Sequence, residues 1–233
     1  VEPILQVKEL SKQYGSRPAL RKVSFELSSG RITGLLGSNG SGKTTLMKLI
    51  AGLSRPDTGE IFIGGVPVGE ESRQLVSFMP DRPLTESWMS VGDALRFQAD
   101  FYADFDPAKA RRMLEFMRLR KQDKVKTLSK GMNERLQLTL ALSRRAKLYM
   151  LDEPIGGVDP VARTRILDAL MEFYEEDSTL LISTHLVSDI ERIFDEVLFI
   201  KEGELVLQGE VEDIRLQRRK SIDELFREVF AEC

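Results

Sequence analysis

Cysteine is nearly absent from this chain: the only one is Cys233, at the last position. A disulfide framework is thereby excluded, and a reducing compartment is the natural setting. No apolar run approaches the ~20 residues needed to span a bilayer. The sequence starts Val1-Glu2-Pro3, with no basic segment leading into an apolar one, so no secretory signal is visible. Neither sign of charge dominates: the net charge is −3 and the pI about 5.5, which gives no global pull towards nucleic acid. Internal repeats and low-complexity linkers are missing too. These absences lead to the expectation of a soluble, cytoplasmic protein that meets a membrane only through a partner. What is present is a chain of 233 residues, 42% hydrophobic and 30% charged, enough for one large domain or two small ones with a sizeable core.

The first third alternates apolar and polar residues over Ile4–Leu10 and Ala19–Leu27, and Gly59–Gly65 encloses a short strand. Arg31–Leu36 is a compact apolar strand that runs into a glycine-rich turn. Leu46, Leu49, Ile50 and Leu53 then recur at helical spacing, which predicts a helix over Lys43–Leu53. From about Ser90 to Ser143 the pattern is helical. Asp106-Pro107 supplies a cap and a first-turn proline, and Ala110, Met113, Leu114 and Met117 form an apolar face. Buried strands return at Leu148–Leu151 and Thr179–Ser183, and Val197–Ile200 with Leu205–Leu207 reads as a hairpin. The pattern is an α/β core carrying a helical insertion.

The strongest motif is Gly37-Ser38-Asn39-Gly40-Ser41-Gly42-Lys43-Thr44-Thr45. It has the phosphate-loop spacing of a glycine, four residues and Gly-Lys-Thr, and it sits between a strand and a helix as that pattern requires. Glycines let successive N–H groups point at phosphate oxygens, and the following helix aims its N-terminus at the same anion. Lys43 supplies a charge for the β- and γ-phosphates, and the Thr44 hydroxyl suits Mg²⁺. The second motif is an apolar strand ending in Asp152-Glu153-Pro154. By itself it reads equally as a strand and an acidic turn. Beside a phosphate loop, Asp152 would hold Mg²⁺ through water and Glu153 could polarise an attacking water. His185, the only histidine, follows Leu180-Leu-Ile-Ser-Thr184. A lone histidine is more often structural, but the carboxyl end of a strand is where ligands collect in such sheets. Leu128-Ser129-Lys130-Gly131-Met132 reads as a capped helix N-terminus, itself able to bind an anion. Tyr14, before Gly15, could stack on a purine or simply pack.

In that order these pieces resemble the ATP-binding subunit of ABC transporters, over nearly the whole chain. The resemblance rests on the phosphate loop at 37–45, the signature at 128–132, the Asp152-Glu153 pair and the switch histidine His185. It matches Asp159, in Gly156-Gly-Val-Asp159, to the family's D-loop, and Tyr14 to its adenine-stacking aromatic. It implies a P-loop NTPase (RecA-like) α/β core over 1–80 and 136–210, with an antiparallel β subdomain. A helical subdomain over 81–135 and a C-terminal helical tail over 211–233 complete the expected organisation. The implied activity is hydrolysis of ATP with Mg²⁺. Two subunits, this chain with a second copy of itself or with a homologous ATPase subunit, sandwich two nucleotides, each lying between one subunit's phosphate loop and the other's Ser129 and Gly131. Closure drives a separate membrane-embedded partner.

Two departures stand out. The usual Leu-Ser-Gly-Gly-Gln signature here carries Lys130 and Met132, and Asp81 stands where the family has a glutamine that senses Mg²⁺ and the transport partner. The Leu-Ser-Lys-Gly-Met form and Phe105-Asp-Pro107 look like bacterial exporter-type cassettes. A soluble ABC ATPase of translation, DNA repair or iron–sulfur assembly is the alternative, but it usually carries two cassettes, coiled-coil or zinc-bearing insertions. A regulatory module without turnover conflicts with Glu153. Lys109 to Lys126 holds eight basic and two acidic residues. A solvated helix face is the plain reading of this segment and of Arg215–Lys220. A surface near anionic lipid or an acidic partner is the other, and without interleaved aromatics neither segment supports nucleic-acid binding.

Overall fold

The computed structural model describes residues 3–83, 85–175 and 177–231, so Cys233 lies outside the described residues. The chain opens with a hairpin of β1 (Leu5–Tyr14) and β2 (Arg17–Leu27), followed by β3 (Ile32–Leu36) and α1 (Lys43–Ile50). Next come β4 (Thr58–Ile63), β5 (Val66–Pro67), α2 (Glu70–Gln74) and β6 (Val76–Met79). The insertion holds α3 (Val91–Phe101), α4 (Pro107–Phe116) and the start of α5 (Lys130–Leu142). The core resumes with β7 (Leu148–Asp152), α6 (Pro160–Phe173), β8 (Thr179–Thr184), α7 (Val187–Ile190), β9 (Glu196–Lys201) and β10 (Glu204–Glu210), and α8 (Val211–Arg218) and α9 (Ile222–Phe230) close the chain. Helix α5 runs unbroken through positions 135 and 136, where the sequence places the edge of the helical subdomain.

Two sheets organise the core. An antiparallel sheet has the order β2-β1-β4-β5, and a six-stranded sheet has the order β10-β9-β3-β8-β7-β6. In the second, β9, β3, β8, β7 and β6 are parallel and only β10 is antiparallel. Parallel strands covered on both faces are apolar throughout, and all five residues of β3 and of β7 are buried. Alternation then sends Leu148 and Met150 towards α1 and the antiparallel sheet, while Tyr149 and Leu151 face α5 and α6. Gly34 of β3 has no room for a side chain, because a Cβ there would lie 2.7 Å from the Phe194 ring.

The helices stop and start where local chemistry directs. Asp106 accepts from the amides of Ala108 and Lys109, both at 2.9 Å, with Pro107 in the first turn of α4. Helix α1 ends at Ile50 rather than Leu53, because Gly52 takes φ +67 and turns the chain, leaving Leu53 on the surface. In the basic segment after Pro107, Arg111, Arg112, Arg118, Arg120, Lys121, Lys124 and Lys126 are exposed. Lys109 departs from the solvated face: it is buried, 2.7 Å from Glu175 and over the Tyr149 ring. Arg215 and Lys220 pair with Glu212 and Glu228 at the surface. Helix α9 sets Phe226 and Phe230 against Phe199.

Candidate functional site

Sheet order assembles the site. Strand β8 lies between β3 and β7, so the carboxyl ends of all three reach the same rim. These ends lead into Gly37, Thr184-His185 and Asp152-Glu153. The loop after β3 is built from constrained glycines. Gly40 and Gly42 have φ +80 and +113, and a Cβ on Gly42 would sit 2.6 Å from the Ala19 carbonyl. A Cβ on Gly37 would meet the Ile200 carbonyl at 2.5 Å. Gly42 caps α1 without a side chain, and the first turn, Lys43-Thr44-Thr45, contains no acid. The helix therefore places no acid of its own in the turn whose amides face the loop.

Lys43 is buried and curls back over this loop. Its ammonium donates to the Gly37 and Ser38 carbonyls at 2.8 and 3.2 Å and lies 3.4 Å from Glu153 Oε1. The other Glu153 oxygen is 2.9 Å from His185 Nδ1. Lys43, Glu153 and His185 thus form one contiguous chain of contacts. Glu153 holds a left-handed backbone, φ +52, unusual for a residue with a side chain. Its amide donates to the Ser183 carbonyl and hydroxyl, both at 3.1 Å, which stabilises that turn at the strand end.

Asp152 is fully buried beneath the loop. Ser183 donates its hydroxyl to Oδ1, while Oδ2 has no hydrogen-bond partner among the described residues. Burial pushes the Asp152 carboxyl above its ordinary value, against the pull of the Ser183 and Thr44 hydroxyls. A buried carboxylate oxygen left open in this way is suited to a cation. Among the described residues no group of three or more His, Cys, Asp or Glu converges on a point, so a cation held by Asp152 and Thr44 would take its further ligands from water and phosphate oxygens.

A cavity of about 650 Å³ opens over these groups, within the range of small-molecule sites. Asn39, Gly40, Gly42, Lys43, Thr44 and Thr45 form its floor, and Tyr14 stands at its mouth, half exposed. Asp81, Glu153 and His185 complete the wall. Gly37, Ser38 and Ser41 shape the loop without lining the cavity. Ser129 and Gly131 lie outside it. The Ser129 hydroxyl caps α5 by accepting from the Met132 amide at 3.2 Å. A Cβ on Gly131 would come within 3.5 Å of Asp159, whose carboxylate accepts from the Val161 and Ala162 amides at 3.0 Å to start α6. The sequence pattern assigns no role to Arg17, Gly156 or Gly157, all of which line the cavity, or to the side chain of Lys130, which does too. It assigns none to Ser183 as the clamp on Asp152 either. The only signals for these residues are a basic residue three positions after Tyr14 and a polar end to an apolar strand.

Known proteins resemble this chain over most of its length. A family model described as ABC transporter matches residues 20–156. The chain is similar to the Bacillus subtilis ABC transporter ATP-binding protein YxlF, 33% identical, with 94% of this chain and 75% of that protein covered. It is also similar to the Nod factor export ATP-binding protein I of Rhizobium meliloti, 33% identical over 88% of this chain and 64% of that one. A solved structure of the ATP-binding subunit of an ABC transporter superposes with a TM-score of 0.85 at 31% identity, covering 97% of this chain and 98% of the other.

Proposed function

This chain belongs to the ATP-binding subunits of the ABC transporter family, and from that premise we propose that it hydrolyses Mg²⁺-ATP between two copies of itself to drive export by a separate membrane-embedded subunit. The observation that carries the reading is the Lys43–Glu153–His185 chain over the glycine loop. Gly40, Gly42 and the α1 N-terminus receive the phosphates, and Lys43 binds their β/γ end. Mg²⁺ fits Thr44 and the open oxygen of Asp152, and when bound it neutralises phosphate charge. Tyr14 takes the base.

Glu153 is the group that accepts a hydrogen bond from the attacking water. In the resting state its carboxylate is held by Lys43 and His185 from opposite ends. A phosphate reaching Lys43 competes for the ammonium and leaves Glu153 free to face water. His185 can then bridge Glu153 through Nδ1 and the phosphate through Nε2. A neutral imidazole has only one N–H, so donating at both nitrogens requires the imidazolium. Positioning of this kind supplies much of the catalysis in phosphoryl transfer. Ser129 and Gly131, outside their own protomer's cavity, are the residues assigned to the nucleotide of the second copy.

None of the helices among the described residues is long and apolar enough to cross a membrane. Export is supported by the similarity to the Nod factor export protein and by the exporter-like Leu-Ser-Lys-Gly-Met segment. The test is Glu153→Gln. It keeps the shape, removes the charge, and is expected to bind ATP, turn over at least roughly a hundredfold more slowly and elute as a dimer with ATP. Wild-type turnover in this variant overturns the assignment, and a monomer at every ATP concentration, with the membrane partner present, overturns the sandwich.

A further inference from the structure

The helical insertion holds a second cavity, of about 530 Å³, which shares no residue with the nucleotide site. It lies between α3 and α4. Small residues make room for it: Ala99 on α3, with Pro107 and Ala110 on α4, leaves the space between the two helices unfilled. Leu95 and the buried Phe105 form its apolar walls. The Gly92 amide, in the first turn of α3, donates to the Lys121 carbonyl at 2.9 Å, which holds Lys121 at the edge of the cavity. Helical spacing puts Gly92, Leu95 and Ala99 on one face of α3 and the stacked, exposed Phe97 and Phe101 on the opposite one, so the cavity is separate from that aromatic surface.

The charged side chains of the lining all have one sign. Arg96, Arg111 and Lys121 stand around the apolar walls with no carboxylate among them. Of the acids next to the cavity, Asp93 is paired with Arg96 and accepts from the Ser90 amide, and Asp123 is paired with Arg120. Glu115, one turn after Arg111, is exposed and does not pair with it. The side chains of Arg111 and Lys121 make no hydrogen bond or ion pair among the described residues. A solitary exposed cation is ordinary on any protein surface. Two unpaired ones lining the same apolar cavity match a ligand with an oxyanion at one end and hydrocarbon at the other.

We propose that the α3–α4 cavity binds a single-chain amphipathic anion of the medium-chain carboxylate class. Its hydrocarbon lies between Leu95, Ala99, Phe105 and Ala110, and its carboxylate sits on Arg111 and Lys121. Arginine takes a carboxylate through two parallel N–H···O bonds, and lysine adds a point charge. The cavity has room for one chain of medium length. A membrane lipid would leave its second chain in water, so the occupant is a free amphiphile rather than a bilayer. The site needs no nucleotide, and its failure would leave the ATP reading untouched.

The experiment titrates sodium decanoate into the nucleotide-free full chain by calorimetry, below the concentration at which decanoate forms micelles. Decanoate is expected to bind as a single molecule per chain, and octanoate more weakly by about fourfold for each methylene removed. Decyltrimethylammonium, with the same chain and the opposite charge, should not bind. Arg111→Met should weaken decanoate roughly tenfold, the scale of one charge-assisted contact, and Arg111→Lys should weaken it less. Ala99→Trp, at an exposed position of the lining, should fill the cavity and abolish binding, and melting curves confirm that each variant folds. No binding of decanoate, equal binding of decyltrimethylammonium, or full affinity in either Arg111→Met or Ala99→Trp overturns the assignment. Binding to phosphatidylglycerol vesicles without binding of decanoate also overturns it, by making the basic rim a membrane-facing surface.

Discussion

Glu134 gives the sharpest test of the electrostatics around the site. It lies on α5 one turn after Lys130 and is 8% exposed, with no hydrogen bond or ion pair among the described residues. Burial raises its carboxyl from 4.5 to about 7; Lys130 opposes the shift and Asp81 adds to it. The unfolded chain gives up this proton near 4.5, and the folded chain near 7. Between those values the native state binds more protons than the unfolded state, so stability falls as pH rises through the window. The contribution is fully present below about 4.5 and lost above about 7. The distance between the two values corresponds to about 3 kcal/mol, most of which separates pH 5 from pH 8.

Glu134→Gln keeps the shape and never ionises. It should therefore gain on wild type as pH rises, by about 2–3 kcal/mol between pH 5 and pH 8. At pH 8, a chain of this size should melt roughly 5–10 °C higher than wild type. Urea unfolding of the nucleotide-free protein at the two pH values measures the difference directly. Equal effects of the substitution at pH 5 and pH 8 would refute the reasoning. So would a variant that is less stable than wild type at pH 8, which would mean that the ionised carboxylate has partners the structure does not place beside it.

Three further substitutions probe the site itself. His185→Ala should bind ATP nearly as wild type and lose at least roughly a hundredfold in steady-state turnover, the value of one pre-organised donor; unchanged turnover would reduce His185 to packing. Gly42→Ala, at φ +113 and 2.6 Å from the Ala19 carbonyl, should cost at least about 2 kcal/mol in a melting experiment and abolish nucleotide binding. Ser183→Ala removes the donor from the buried Asp152 Oδ1 and should cost about 1–3 kcal/mol, read by urea unfolding without nucleotide.

The parts of the site carried by local spacing are legible in the amino-acid order itself. Gly37 to Thr45, Asp152-Glu153 and His185 each sit at the end of an apolar run, and short strands with turn residues are what a sequence displays best. Sheet order then brings them together. The parts that depend on distant partners are not legible in this way. Lys109 belongs to a basic run and reads as solvated, but Glu175 and the Tyr149 ring draw it inside. Leu53 continues an apolar spacing, but the helix ends before it at Gly52. Lys130 stands out as a departure within a motif, and only its passage over Gly157, 27 positions on, shows where its charge goes.

The resting contacts also bear on how futile turnover is limited. Glu153 is both the base of the proposed reaction and the partner of Lys43, the residue that receives phosphate. The base and the phosphate ligand are therefore ion-pair partners of each other, both of them largely buried. Phosphate entry competes for Lys43, and the carboxylate that loses this partner is the one needed next. Nucleotide arrival and activation of the base thus become one exchange of partners. The two bonds from the Glu153 amide to Ser183 fix its left-handed main chain, so only the side chain need move in that exchange. On this account Glu153→Gln does more than slow hydrolysis. It releases Lys43 from its competitor, so the variant should bind ATP more tightly than wild type. Calorimetric titration of monomeric protein decides the point, and weaker ATP binding in Glu153→Gln would show that the Lys43–Glu153 contact does not compete with nucleotide.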